Sequence, residues 1–150
     1  DPLASSTILP PELYRDTGFQ VARRTLARIE GPTATHLASG RCLPVLEDIA
    51  GTGTAIIGVS AEEDLAEVKE RAAGRLTILG NLNGIAMRNW TPAEAERHVK
   101  AAIAAGGPGG GFLLSDNHGE IPWQVPEAVL DAIGQAAREW GRYPLQEQDD

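Results

Sequence analysis

Short apolar runs bounded by glycine and proline alternate with longer stretches of helical periodicity, and this alternation constrains the fold more than any other feature of the chain. Residues 33–38, 55–59, 76–80 and 111–115 read as strands. The middle two, AIIGV and LTILG, are nearly continuous apolar runs, the pattern of strands covered on both faces of a parallel sheet. Helical patterns occupy 12–29, 42–50, 62–72, 92–105 and 126–140, and Gly31-Pro32 stops the first of them. Ser60 with Glu63 three residues on has the shape of a capping box, and Thr91-Pro92 with Glu94 adds a proline at the first helical position. A helix followed by four βα units predicts parallel strands joined by right-handed crossovers. That is half of what closes a (β/α)₈ barrel, so the α/β fold is read as either a small open sheet or a half-barrel.

At 150 residues, the chain has room for one domain, 1–150, with one substantial core. Lys and Arg total 13 against 21 Asp and Glu, a net charge of −8, and only Arg23-Arg24 stands out as a basic pair. Such a surface repels phosphate backbones, which argues against nucleic-acid binding. The apolar runs fall far short of a membrane span. Cys42 is the single cysteine, which excludes an intrachain disulfide and makes a reducing, cytoplasmic setting the expectation. Asp1 opens the chain and the only methionine is Met87, so a piece processed or excised from something longer is expected.

Ligands of parallel α/β folds gather at the carboxyl ends of the strands. Those positions hold His36, Ser39 and Gly40 after the first strand, and Ser60, Glu62 and Glu63 after the second. Asn81 and Asn83 follow the third; Asp116, Asn117, His118 and Glu120 follow the fourth. An imidazole ligates metal or moves protons near neutral pH, so His36 and His118 are the candidate catalytic pair. His98 instead sits inside a helix among charged residues. Cys42 opens a predicted helix, where the dipole favours a thiolate. Trp123 follows the histidine loop and is placed to wall a pocket, whereas packing accounts for Trp90 and Trp140.

Several motifs then carry a family resemblance. They are Asp1-Pro2-Leu3-Ala4-Ser5, Pro11-Glu12-Leu13-Tyr14, Thr35-His36-Leu37-Ala38-Ser39-Gly40, Leu79-Gly80-Asn81-Leu82, and Asn117-His118-Gly119-Glu120-Ile121-Pro122 with Pro126. Together they resemble successive motifs of the uroporphyrinogen decarboxylase superfamily, which includes the methylcobamide:coenzyme M methyltransferases. The resemblance implies the C-terminal half of a (β/α)₈ TIM barrel, and its Asp-Pro-x-Ala-Ser opening is more similar to the methyltransferase branch.

For that branch the resemblance implies methyl transfer between a corrinoid and a thiol, with zinc held by a His-x-Cys after the fifth barrel strand and a cysteine after the last. His36 matches the histidine, but Ala38 stands at the first cysteine position and His118 at the second. A zinc site here would therefore use His36, His118 and, if the loop folds back, Cys42. Ser39, Asn81, Asn83, Asp116, Glu120 and Trp123 would bind or orient substrate. The expected partners are a missing N-terminal half or a second copy of the chain, and a corrinoid protein. The alternatives are uroporphyrinogen decarboxylation, a carboxy-lyase step of porphyrin biosynthesis whose arginine- and aspartate-bearing motifs belong to the N-terminal half, and a non-catalytic half-barrel.

Overall fold

The computed structural model describes residues 5–37, 40–117 and 119–145. Two short helices come first, α1 (Pro11–Asp16) and α2 (Gly18–Leu26). Four strands follow, β1 (Ala34–His36), β2 (Ile56–Gly58), β3 (Thr77–Leu82) and β4 (Phe112–Asp116). Helices α3 (Leu46–Ala50), α4 (Leu65–Ala72) and α5 (Pro92–Gly106) connect them, and α6 (Glu127–Trp140) closes the fold. The strands lie in the order β1-β2-β3-β4, and every neighbouring pair is parallel. This is the expected α/β architecture of βα repeats, with the strand order of half a TIM barrel.

The register separates two faces of the sheet, because successive side chains on a strand alternate. One cross-strand row is Thr35, Ile57, Ile78 and Phe112. Ile57 and Ile78 are fully buried beneath the helices, with Leu46, Ile49, Val68 and Val99 in the same core. The adjacent row is His36, Gly58, Leu79 and Leu113. On this inner face Leu113 is 45% exposed although it lies in the middle of a strand. A closed barrel would pack that face, so its exposure follows from the sheet being half the circuit.

The helix starts follow local chemistry, with two departures from the sequence reading. Thr91 and Glu94 form the capping box of α5, the Thr91 hydroxyl accepting from the Glu94 N–H and the Glu94 carboxylate accepting from the Thr91 N–H at 2.7 Å. The cap of α4 is not Ser60 but Asp64, whose Oδ1 accepts from the N–H groups of Ala66 and Glu67. Ser60 makes a tighter turn in which its hydroxyl accepts from the Glu62 N–H. The predicted 12–29 helix is divided at Thr17, whose φ of −125° and ψ of −77° are not helical. The predicted 42–50 helix opens as a 3₁₀ turn at Leu43–Val45 before the α-helix Leu46–Ala50 begins. No helix of the described residues is long and apolar enough to cross a membrane.

Candidate active site

The first strand ends at His36, and the ladder sets this residue beside Gly58 on β2. The imidazole lies so close over Gly58 that any Cβ there would overlap its Nδ1. A glycine at 58 is therefore the condition for His36 to occupy this position. From the opposite edge of the sheet, the loop after β4 brings Gly119 against the same ring: a Cβ on Gly119 would sit 3.5 Å from His36 Nε2. Gly119 has a φ of +80°, a conformation L side chains rarely adopt, so glycine suits both the turn and the approach.

His36 and this loop wall an open cleft of about 710 Å³, with Glu120, Ile121, Pro122, Trp123 and Ile85 as the other lining residues. The cleft lies at the carboxyl ends of the strands, where the fold places its ligands. Of the residues predicted from sequence, the structure thus brings His36, Glu120 and Trp123 together. Trp123 is 97% exposed, an indole presented at the mouth with nothing packed on it among the described residues. Ser39 and His118 lie outside the described residues.

Asp116 acts on the loop itself. Its Oδ2 accepts from the Gly119 N–H at 2.7 Å, which ties the turn back to the end of β4. Asn117 is nearly buried and its Oδ1 accepts from the Gly84 N–H, joining the loops after β3 and β4. Asn83 turns its Oδ1 to the Ala86 N–H. It lines a second cleft, of about 360 Å³, that shares Ile85 with the first.

Two of the expected residues lie away from the His36 cleft. Asn81 does not line the His36 cleft: its amide donates to the carbonyls of Ser60 and Glu63, and it borders a cavity between β3, α4 and α5. Cys42 does not lie open at a helix start. It is fully buried in the core, and burial pushes its thiol pKa up, reinforced by the neighbouring Glu63 carboxylate. Glu63 Oε1 accepts from the N–H groups of Cys42 and Leu43, so the negative charge sits where a helix dipole was expected to supply a positive one. The thiol is enclosed by the core and is not among the residues that line the His36 cleft. Among the described residues, no three His, Cys, Asp or Glu side chains form a metal-binding group. The described donors alone do not make a zinc site, and His118 lies outside them.

The sequence reading missed Gly58, Ile85 and Arg88. The signal for Gly58 was its pairing with His36, which needs the register. Ile85 and Arg88 lie past the strand end on the 3₁₀ turn Ala86–Asn89 and its approach, beyond the positions that inspection of strand ends covers.

A sequence profile described as uroporphyrinogen decarboxylase (URO-D) matches residues 1–140. Uroporphyrinogen decarboxylase from Idiomarina loihiensis is 27% identical over 139 residues, covering 84% of this chain and 37% of that protein. The Burkholderia thailandensis protein of the same name is 31% identical over 94 residues, 62% of this chain and 25% of its own length. The chain thus spans only about a quarter to two fifths of the curated relatives it matches. A methyltransferase from Methanosarcina mazei shares the fold, with a TM-score of 0.82 over 95% of this chain and 41% of that one, at 21% identity. With the profile covering nearly the whole sequence and the half-barrel in place, the chain belongs to the uroporphyrinogen decarboxylase family.

Proposed function

We propose that this chain forms half of the active-site mouth of a corrinoid-dependent methyltransferase, in which His36 accepts the proton of a thiol as the sulfur takes up the methyl group. When bound, a methylated corrinoid supplies the methyl carbon as electrophile. The thiol sulfur would take that carbon, and the corrinoid would leave with the electron pair of the bond it gives up. The proton leaves the thiol for an imidazole nitrogen, and general-base assistance of this kind is worth about 10²- to 10⁴-fold. Asp116 and Gly58 would position the two walls, while Glu120 and Trp123 would contact the substrate.

One observation carries the reading. Of the described residues lining the His36 cleft, Glu120 is a carboxylate and the others are imidazole, aromatic, aliphatic or glycine; none is Lys or Arg. A porphyrinogen with many carboxylates needs cationic partners, and here it would meet a carboxylate on a chain of net charge −8. The decarboxylase reading is favoured in turn by the name shared by the curated relatives.

The two are separated by assaying the purified protein for loss of the methyl group from methylcobalamin with 2-mercaptoethanol, and for release of carbon dioxide from uroporphyrinogen. The methyl-transfer reading predicts thiol-dependent demethylation that falls about 100-fold or more in His36→Ala. Carbon dioxide release without methyl transfer overturns it in favour of the decarboxylase.

A further inference from the structure

We propose that the second cleft, between the loops that follow β2, β3 and β4, is an oxyanion site that takes one carboxylate, sulfonate or phosphate group. Its polar wall consists of Ser60, Glu62, Asn83, Arg88, Asn89 and Asn117, around a volume of about 360 Å³. The assignment stands on this cleft alone and does not depend on the reaction proposed for His36.

The argument begins with the orientation of the amides. Asn117 is 3% exposed, and its Oδ1 is fixed by the Gly84 N–H at 3.3 Å. Its Nδ2 is therefore the end of the amide left as a donor, on a residue that lines the cleft. Asn83 is set the same way, its Oδ1 held by the Ala86 N–H at 3.0 Å and its Nδ2 left as a donor. Two backbone N–H groups thus dictate that both asparagines present donors rather than acceptors.

Charge points in the same direction. Arg88 lines the cleft, is exposed, and has no carboxylate partner among the described residues. The carboxylate in the wall, Glu62, is already engaged by Arg41, with Oε2 accepting from Nη2 at 3.1 Å and from Nε at 3.3 Å. What remains for a ligand is a guanidinium and amide N–H groups, a donor set matched to oxygen acceptors carrying negative charge. One guanidinium suits one anionic group. That group could belong to the rim of a macrocycle lying across both clefts, which meet at Ile85, or to a separate small acid.

The test follows the side-chain NH₂ resonances of Asn83, Asn89 and Asn117 in ¹⁵N spectra while sodium sulfate is added, with sodium chloride at equal ionic strength as the control. Saturable shifts specific to sulfate are expected, weakened at least tenfold in Arg88→Gln with the rest of the spectrum unchanged. Shifts that track ionic strength, or that persist undiminished in Arg88→Gln, overturn the proposal. Uroporphyrin and succinate then separate the two sources. Displacement of sulfate by uroporphyrin alone assigns the oxyanion to a macrocycle rim, and displacement by succinate assigns it to a small acid. If neither acid competes although sulfate binds, a carboxylate is excluded and the site is restricted to sulfonate or phosphate.

Discussion

Gly58 and His36 form the tightest coupling in the candidate site. The imidazole occupies the space where a side chain at 58 would begin, so Gly58→Ala forces the ring away from the loop after β4. Overpacking of this kind costs about 1–3 kcal/mol, and misplacement of a reacting group by about 1 Å can cost about 100-fold in rate. We predict that Gly58→Ala stays folded by circular dichroism but loses activity almost as completely as His36→Ala. Glu63 is coupled to its surroundings in a different way. Its carboxylate satisfies the N–H groups of both Cys42 and Leu43, so Glu63→Ala orphans two buried donors at about 1–3 kcal/mol each. Thermal unfolding should show a large loss, and the Cys42 thiol, buried in the native protein, should become reactive toward disulfide reagents at lower denaturant concentration.

His98 adds a pH dependence. It stacks on Trp90 with ring centroids 4.2 Å apart, and burial holds its pKa below the usual histidine range, with nearby Arg97 pushing the same way against Glu94. A histidine whose folded pKa is depressed binds its proton more readily in the unfolded chain. Its contribution is therefore complete above the ordinary histidine value and lost as pH falls through the folded one. Unfolding curves between pH 7.5 and pH 5 should show stability falling with acid, and His98→Gln should flatten that part of the profile.

At the scale of elements, the sequence was most legible where one local signal dominates. The Thr91-Pro92-Glu94 signature is self-contained, and the capping box formed where expected. Thr91→Ala should cost about 1 kcal/mol, read as a shift in the thermal midpoint. The strands were equally plain, since buried parallel strands read as apolar runs. The competing Ser60 cap failed because Glu63, the residue that would close that box, is drawn away to Cys42 and Leu43, and no local pattern reveals a partner twenty residues distant. Asn81 lies away from the His36 cleft for a related reason: its position after a strand was visible in sequence, but the carbonyls of Ser60 and Glu63 that capture its amide belong to the neighbouring unit. His36 was found because it lies at a strand end, while Arg88 was missed because a 3₁₀ turn carries it back to the cleft from further along the loop.

At the scale of the molecule, the inner face of the sheet is the feature that a half-barrel cannot bury alone. Leu113 on this face is 45% exposed, whereas Ile78 on the helix-covered face is fully buried. Ile78→Ala should therefore cost about 2–5 kcal/mol, while Leu113→Ala should fall near the level of a surface change, about 0.5 kcal/mol or less. We propose that the inner face pairs with another half-barrel, from a separate segment or a second copy of the chain. Sedimentation of the isolated chain should then show concentration-dependent association that Leu113→Lys abolishes, and a monomer at every concentration would speak against a second copy as the occupant.

The proposed chemistry at His36 depends on the two edges of the sheet meeting at one cleft. The direct test is a nuclear Overhauser measurement on the 15.9 kDa chain, between the ring protons of His36 and the α protons of Gly119. The geometry described here predicts a cross-peak between them, alongside the one from the same ring to Gly58. A ring that contacts Gly58 but gives no signal to Gly119 would separate the two walls and remove the active site built on them.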